Sequence, residues 1–372
     1  MRLGLDLGRS LAWAGHEVKA LEVLEETERA AAATGDEVLQ MHAELALVEL
    51  RAWRDPAVTR EWGPAAERAI AVFQVAGDEG GLARAWNVLA WYQVFRNRFA
   101  ESDRAAARGL IHARASGDRG LELELLSLMG NVVWGSVTAT EGLARCDELH
   151  VAAAGNRSLE GMQMAHRASL IAMRGDIEEA RRVWAEGKAM TDELGRLTES
   201  AFAVQEGWYI EMLARDFPRA EALTRAEYMR LLEADSLGLL DITRDMMALA
   251  ICAQGRLEEA DELARETEGR PITPDDVTGQ NVWRRIRARA LSARGQHEEA
   301  VRTAKEAVAL FTGTDALIDH GEALLDLAGV LRSAGRIEEA STAASEALAL
   351  YEQKENVIEA ARARAFLADI ER

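Results

Sequence analysis

The sequence predicts an all-α, right-handed superhelical solenoid of about nine helix-turn-helix repeats, and three observations predict it. The phrase Gly175-Asp-Ile-Glu-Glu-Ala180 returns as Gly255-Arg-Leu-Glu-Glu-Ala260, Gly295-Gln-His-Glu-Glu-Ala300 and Gly335-Arg-Ile-Glu-Glu-Ala340. A degraded copy, Arg215-Asp-Phe-Pro-Arg-Ala220, fills the remaining interval, so the closing alanines fall at 180, 220, 260, 300 and 340. A forty-residue period of this kind is the mark of stacked repeats. A second mark, Gly35-Asp36, recurs as Gly77-Asp78, Gly117-Asp118 and Gly155-Asn156. The composition agrees: 48% of residues are hydrophobic but only 5% aromatic, and there are five prolines. The apolar material is mostly alanine and leucine, which favours helix over sheet.

Each unit is expected to be helix A, a tight turn, helix B and a second turn. In the repeated phrase the glycine ends helix A in a left-handed conformation and the glutamates open helix B, where carboxylates oppose the positive end of the helix dipole. The closing alanine must be small because helix A crosses there. In the Gly-Asp mark the glycine ends helix B, and Asp or Asn caps the next helix A. The first unit turns at Gly15-His-Glu-Val-Lys-Ala20. Unit two carries an irregular turn from Arg54 to Pro64, unit three turns at Asn97, and unit four turns near Val137 with Gly142 in place of the alanine. The B-to-A turns are predicted near 35, 77, 117, 155, 195 and 235. The largest break is Gly269 to Gly279, with two prolines. The chain therefore reads as one domain, 1–372. Its repeats are approximately 1–35, 36–77, 78–117, 118–155, 156–195, 196–235, 236–275, 276–315 and 316–355, followed by a capping helix within 356–372.

Charge and composition exclude several classes. A net charge of −19 repels phosphate backbones, so no nucleic-acid partner is expected. No stretch approaches the roughly 18 apolar residues of a membrane span, so no membrane partner is expected either. The N-terminus has no signal-peptide pattern, and Cys146 and Cys252 form no disulfide framework, which suits a reducing cytoplasm. The chain starts in mid-pattern, and the expectation is a piece of a longer protein.

Seven residues before each turn, helix A should cross its own helix B. Those residues are Gly8, Ala90, Gly130, Ala168, Trp208, Ala248, Ala288 and Ala328, all small except Trp208. With Trp86, Leu89 and Ala90, this is the tetratricopeptide pattern, stretched beyond its usual 34 residues. Forty-residue units of this Ala/Leu/Arg/Glu-rich kind resemble the C-terminal regions of bacterial signal-transduction ATPases, including large LuxR-type activators such as the maltose-regulon activator. The segments Trp86–Tyr92, Leu126–Trp134 and Arg270–Arg284 are similar to cyclase-linked members of that group. The resemblance implies a sensor or interaction arm, with ATPase or cyclase domains attached in a parent protein. This chain itself has no Walker A motif and no cyclase domain.

Catalytic chemistry is poorly represented. The Glu178-Glu179, Glu258-Glu259, Glu298-Glu299 and Glu338-Glu339 pairs look like paired carboxylates. Adjacent helical residues point about 100° apart, however, so the pairs read as dipole compensation. Cys146 and His150 are four residues apart but lack the further ligands zinc needs, so no metal site is expected. The seven histidines are scattered, no nucleotide or cofactor fingerprint is present, and no cofactor is expected.

The candidate site is instead the concave wall. Positions 13, 10, 6 and 3 before each turn should face it. They give Arg84, Asn87 and Trp91 in unit three, Asn131 and Trp134 in unit four, and Gln205 and Tyr209 in unit six. Unit seven adds Asp245, and unit eight adds Arg285 and Arg289. Trp208, a bulky residue at a crossing position, must distort its unit or project towards the groove. Aromatic platforms among amides and guanidinium groups suit a peptide or a polar small molecule; the alternative for each aromatic is packing between repeats. Arg285 and Arg289 lie on one helix face and either hold a carboxylate or phosphate or pair with acidic residues of neighbouring units. The expected function is a non-enzymatic sensor or interaction module for a peptide, a protein segment or a small effector. The alternative is a passive oligomerisation scaffold, which would expose an apolar surface at one terminus.

Overall fold

In the computed structural model, residues 2–13, 16–54, 56–193, 197–234, 236–268 and 276–370 are described. Among them are nineteen α-helices and no strand. They succeed one another as nine pairs and a final single helix. Units one to three are α1 (Arg2–Trp13) with α2 (Glu17–Ala32), α3 (Glu37–Arg54) with α4 (Trp62–Ala76), and α5 (Glu79–Phe95) with α6 (Phe99–Ser116). Units four to six are α7 (Arg119–Leu128) with α8 (Ala139–Ala152), α9 (Arg157–Met173) with α10 (Ile177–Glu193), and α11 (Leu197–Ala214) with α12 (Phe217–Glu233). Units seven to nine are α13 (Leu237–Ala253) with α14 (Leu257–Glu268), α15 (Val277–Ala293) with α16 (His297–Ala309), and α17 (Leu317–Ser333) with α18 (Ile337–Lys354). Helix α19 (Val357–Ile370) follows.

The turns have the chemistry their sequence requires. Gly35, Gly77, Gly117 and Gly155, and again Gly175, Gly255, Gly295 and Gly335, all take the left-handed conformation. Asp36, Asp78, Asp118 and Asn156 each accept the backbone N–H three residues on, at 2.9–3.0 Å, and so cap the next A helix. The closing alanines Ala20, Ala180, Ala220, Ala260, Ala300 and Ala340 are fully buried, as are the crossing residues Ala90, Ala168, Ala288 and Ala328. The predicted turns at Gly15 and near 195 and 235, and the break from Gly269 as far as residue 275, lie outside the described residues.

Among the described residues, three turns put a residue other than glycine in the left-handed conformation. Asn97, Arg215 and Glu355 have φ of 53°, 60° and 61°. A side chain with a Cβ is strained there. Arg215→Gly is therefore expected to raise stability by about 1 kcal/mol, read as a higher urea midpoint. An unchanged or lower midpoint would mean that the Arg215 guanidinium, 5.3 Å from the Phe217 ring, outweighs the strain.

Two A-to-B connections depart from the simple plan. The irregular turn of unit two is a 3₁₀ segment, Pro56–Glu61, and helix begins at Trp62, leaving Pro64 inside the first turn of α4. Proline is tolerated there because the first-turn N–H groups have no partner within the helix. Trp62 is buried and donates its Nε1 to Val48 O at 2.9 Å, tying α4 back to α3. In unit four, α7 stops at Leu128 and continues as 3₁₀ over Met129–Val133. Gly130 lies in that stretch, where a Cβ would stand 2.3 Å from His166 Nδ1, so the backbone itself packs against α9.

A simple solenoid joins each unit only to its neighbours. This one also touches itself at long range. The Asp315 carboxylate accepts from the Phe99 and Ala100 amides at 2.6 and 2.8 Å. The Asp315 amide donates to Asn97 O at 3.1 Å, and Thr278 Oγ1 lies 3.2 Å from Asn97 Oδ1. One unit further along, Lys354 Nζ donates to Gly135 O and Val137 O at 2.7 and 2.6 Å. Glu355 accepts from the amide and hydroxyl of Thr140 at 2.9 and 2.6 Å. Asn356 Nδ2 donates to Tyr209 OH at 3.0 Å, and Arg362 donates to Leu213 O at 2.5 Å. The turns that close units eight and nine thus sit on the A-to-B turns of units three and four. Edge meets edge along a seam.

Candidate functional site

The A helices carry the predicted row except for Asn131 and Trp134, which lie in and just after the 3₁₀ segment that follows α7, and the seam and neighbouring units enclose much of the row. On α5, Arg84 is buried and donates Nη1 to Glu124 Oε2 on α7 at 3.0 Å; Asn87 donates Nδ2 to the same oxygen at 3.3 Å. Trp91 stacks on Phe202 of α11, with ring centroids 5.8 Å apart and planes at 21°. Trp134 meets Tyr209 edge-on at 5.0 Å. Units three and four therefore face unit six through their aromatic residues. Trp208 is buried beside Tyr209, and its indole N–H has no partner among the described residues. The adjacent Gly207 faces the preceding unit instead, where a Cβ would stand 2.4 Å from the Trp184 ring of α10. Trp184 in turn donates its Nε1 to Ala203 O at 2.6 Å. Asn131 and Gln205 are half-buried, and Asp245 is buried on α13.

Arg285 and Arg289 converge on one acid. Asp326 of α17 accepts from Arg285 Nε at 2.7 Å and from Arg289 Nε at 2.8 Å, and Glu322 adds a contact to Arg285 at 2.8 Å. Of the two readings the residues allowed, the structure has the ion pair with the neighbouring unit. The structure brings together Arg84 with Asn87, Trp134 with Tyr209, and Arg285 with Arg289, as three separate clusters.

Residues outside the predicted row complete the middle cluster. Glu206 of α11 is buried and accepts from Ser169 Oγ at 2.5 Å and from Trp134 Nε1 at 3.3 Å. His166 Nε2 lies 3.6 Å from Glu206 Oε1. The Gln163 amide, also buried, has no partner for either its oxygen or its nitrogen among the described residues. The available signal for Glu206 was a carboxylate inside the apolar run Ala201 to Ile210; nothing local marks Gln163.

Burial pushes the Glu206 carboxyl up to about 7, against the two hydrogen bonds that favour its charged form. Burial pushes His166 down to about 4, which leaves the imidazole neutral at pH 7. The two act oppositely on stability. Between its ordinary value of 4.5 and about 7, Glu206 keeps its proton only in the fold. Its contribution is complete below 4.5 and is lost as the pH rises to about 7, about 3 kcal/mol in all. His166 does the reverse between about 4 and 6.5. Glu206→Gln is therefore expected to match the parent at pH 5 and exceed its stability at pH 8, as measured by urea unfolding at both values. Equal stability at both would contradict this.

The site offers little for metal or nucleophilic chemistry. Among the described residues no three His, Cys, Asp or Glu side chains form a metal-binding group. Cys146 is buried while His150 is exposed, and burial pushes the Cys146 thiol up to about 12. The repeated glutamate pairs lie at the surface, where Glu178 and Glu179 meet Arg181 and Arg182 of the same helix.

No protein-family profile and no curated protein matches the chain. Solved structures do. The crystal structure of a Rap protein complexed with competence and sporulation factor superposes with a TM-score of 0.61 at 12% identity, over 95% of this chain and 99% of that one. The fold is a tetratricopeptide-like α-solenoid. Yeast Tom70 is similar at a TM-score of 0.45 and 13% identity, over 98% of this solenoid and 82% of that chain. The Cut9-Hcn1 assembly of the APC/C is similar at 0.38 and 11%, over 99% and 89%. At such identities the likeness is one of fold. Among the described residues, no helix of the solenoid is long and apolar enough to cross a membrane.

Proposed function

We propose that this solenoid is a non-enzymatic interaction module that takes an extended peptide, a protein segment or a small effector against its A helices. The observation that carries the reading is a set of buried side-chain groups there without partners among the described residues: Asn87 Oδ1, the Gln163 amide, Trp208 Nε1 and Asn281 Oδ1. A buried polar group left unpaired costs about 1–3 kcal/mol. Amides and an indole N–H are also the groups that read a peptide backbone. The solved Rap structure, similar in fold, is itself a complex with competence and sporulation factor. The cellular setting we propose is the cytoplasm, as part of a bacterial signalling protein of the ATPase or cyclase-linked kind that the repeats resemble.

The test is a titration of the full chain with peptide pools of defined length, followed by tryptophan fluorescence. A saturable change is expected, weakened at least fivefold by Asn87→Ala and by Trp208→Phe. If no pool or common metabolite changes the emission, the reading fails.

A second reading, a scaffold that self-associates, has one observation in its favour. Leu3 and Leu7, four residues apart on α1, are 84% and 52% exposed. They hold the positions that Ala203 and Gly207 hold in unit six, where α10 of the preceding unit packs. Light scattering distinguishes the readings: a scaffold gives a concentration-dependent dimer that Leu3→Ser with Leu7→Ser abolishes.

A further inference from the structure

We propose that the seam joining units three, four and six to units eight and nine and α19 is a latch. It opens and closes as one element, and its opening admits a partner to the inner wall. The partner clause rests on the function proposed above; the latch itself rests on the geometry of the seam.

The seam differs in kind from the interfaces between consecutive units. Those pack alanine and leucine and add side-chain pairs such as Arg84 with Glu124 and Arg285 with Asp326, whereas the seam's bonds run mostly between charged side chains and backbone groups at the ends of turns. Such bonds contribute about 1–3 kcal/mol each, and closure also removes charges from water. Lys354 is fully buried, and burial pushes its ammonium down to about 7. Burial likewise pushes Glu359, beside Arg362, up to about 7. Desolvation therefore offsets part of what the bonds contribute.

Glu355 combines a strained turn with a seam contact. It holds a left-handed backbone that nine turns among the described residues give to glycine. Its carboxylate is what reaches Thr140.

The anchors at Asp315, Lys354 and Glu355 also share one coordinate. Asp315 to Phe99 and Ala100, Lys354 to Gly135 and Val137, and Glu355 to Thr140 span 215 to 219 residues each. A change in superhelical pitch moves all of them together, as a shear between two packed bodies. Behind the seam lie the aromatic residues of the wall, since Asn356 bonds the Tyr209 hydroxyl that Trp134 packs against. Opening uncovers them.

Hydrogen exchange and small-angle scattering on the full chain, without any ligand, test the latch. Glu355→Gly removes one anchor and supplies the residue the turn favours, so the fold is retained. Exchange in 138–142 is expected to rise at least tenfold. Exchange in 97–101, anchored by the untouched Asp315, is expected to rise with it, and the radius of gyration to increase. Asp315→Asn should produce the same pair of changes starting from the other end. If only the segment next to the altered anchor exchanges faster and the radius is unchanged, the latch is refuted. The peptide pools applied to Glu355→Gly then test the partner clause separately. Tighter binding than the parent supports it. Faster exchange in both segments with no gain in binding would retire the inner-wall reading while the latch remains.

Discussion

Asp326→Ala is expected to destabilise the solenoid by about 3–5 kcal/mol, the largest loss we anticipate from one substitution. Asp326 is buried and accepts from both Arg285 and Arg289. Its removal leaves the buried Arg285 with Glu322 as its remaining named acidic partner. Taking one member from a buried ion pair leaves an uncompensated charge, which costs far more than the pair contributes when intact. The pH dependence supplies a second readout. Burial alone would raise the Asp326 carboxyl, but Arg289 and Arg285 hold it below its ordinary 3.8. Its contribution is therefore complete above about 3.8 and is lost as the pH falls through its lowered value in the fold. The parent should show this acid limb and Asp326→Ala should lack it. A variant within 1 kcal/mol of the parent at pH 7 would show that Glu322 alone satisfies Arg285.

Gly187→Ala is expected to cost about 2 kcal/mol, although alanine is the better helix former. Here α9 and α10 cross on two glycines. A Cβ on Gly187 would stand 2.6 Å from Gly161 O, and one on Gly161 would stand 2.7 Å from Gly187 O. The obstacle is a backbone carbonyl, which cannot rotate away as a side chain can, so the helices must separate. Gly329 of α17 is the control: a Cβ there meets nothing within 4 Å. Gly329→Ala should raise the urea midpoint while Gly187→Ala lowers it. The same sign for both would refute the crossing argument.

The two glycines show where sequence reading ends. Gly175, Asp118 and Ala260 were legible because each answers a local demand: a left-handed turn, a free amide to cap, a crossing with no room. Gly161 and Gly187 sit mid-helix without a repeated phrase around them, and only the distance between the helices gives them a role. Most of the candidate row was legible as A-helix positions, although Asn131 and Trp134 fall beyond the end of α7. Its partners were not, because reaching Asp326 from Arg285 requires the rotation from one unit to the next. Asp315 and Lys354 look like ordinary turn residues, since what they touch lies more than two hundred residues earlier. Glu355 offered the one available sign, a carboxylate where the pattern favours glycine.

The common span of the Asp315, Lys354 and Glu355 contacts has a consequence for how this chain can change. In a solenoid whose units meet only their neighbours, a unit can be gained or lost with local effect. Here 215 residues between Thr140 and Glu355 bring two edges into register, roughly five and a half forty-residue units. Deleting one unit between them would swing the later turns past the earlier ones by roughly a fifth of a rotation. Asp315, Lys354 and Glu355 would then face the wrong backbone groups. The seam thus counts repeats: a point change inside a unit leaves the two edges in register, while a change in the number of units between Thr140 and Asp315 does not.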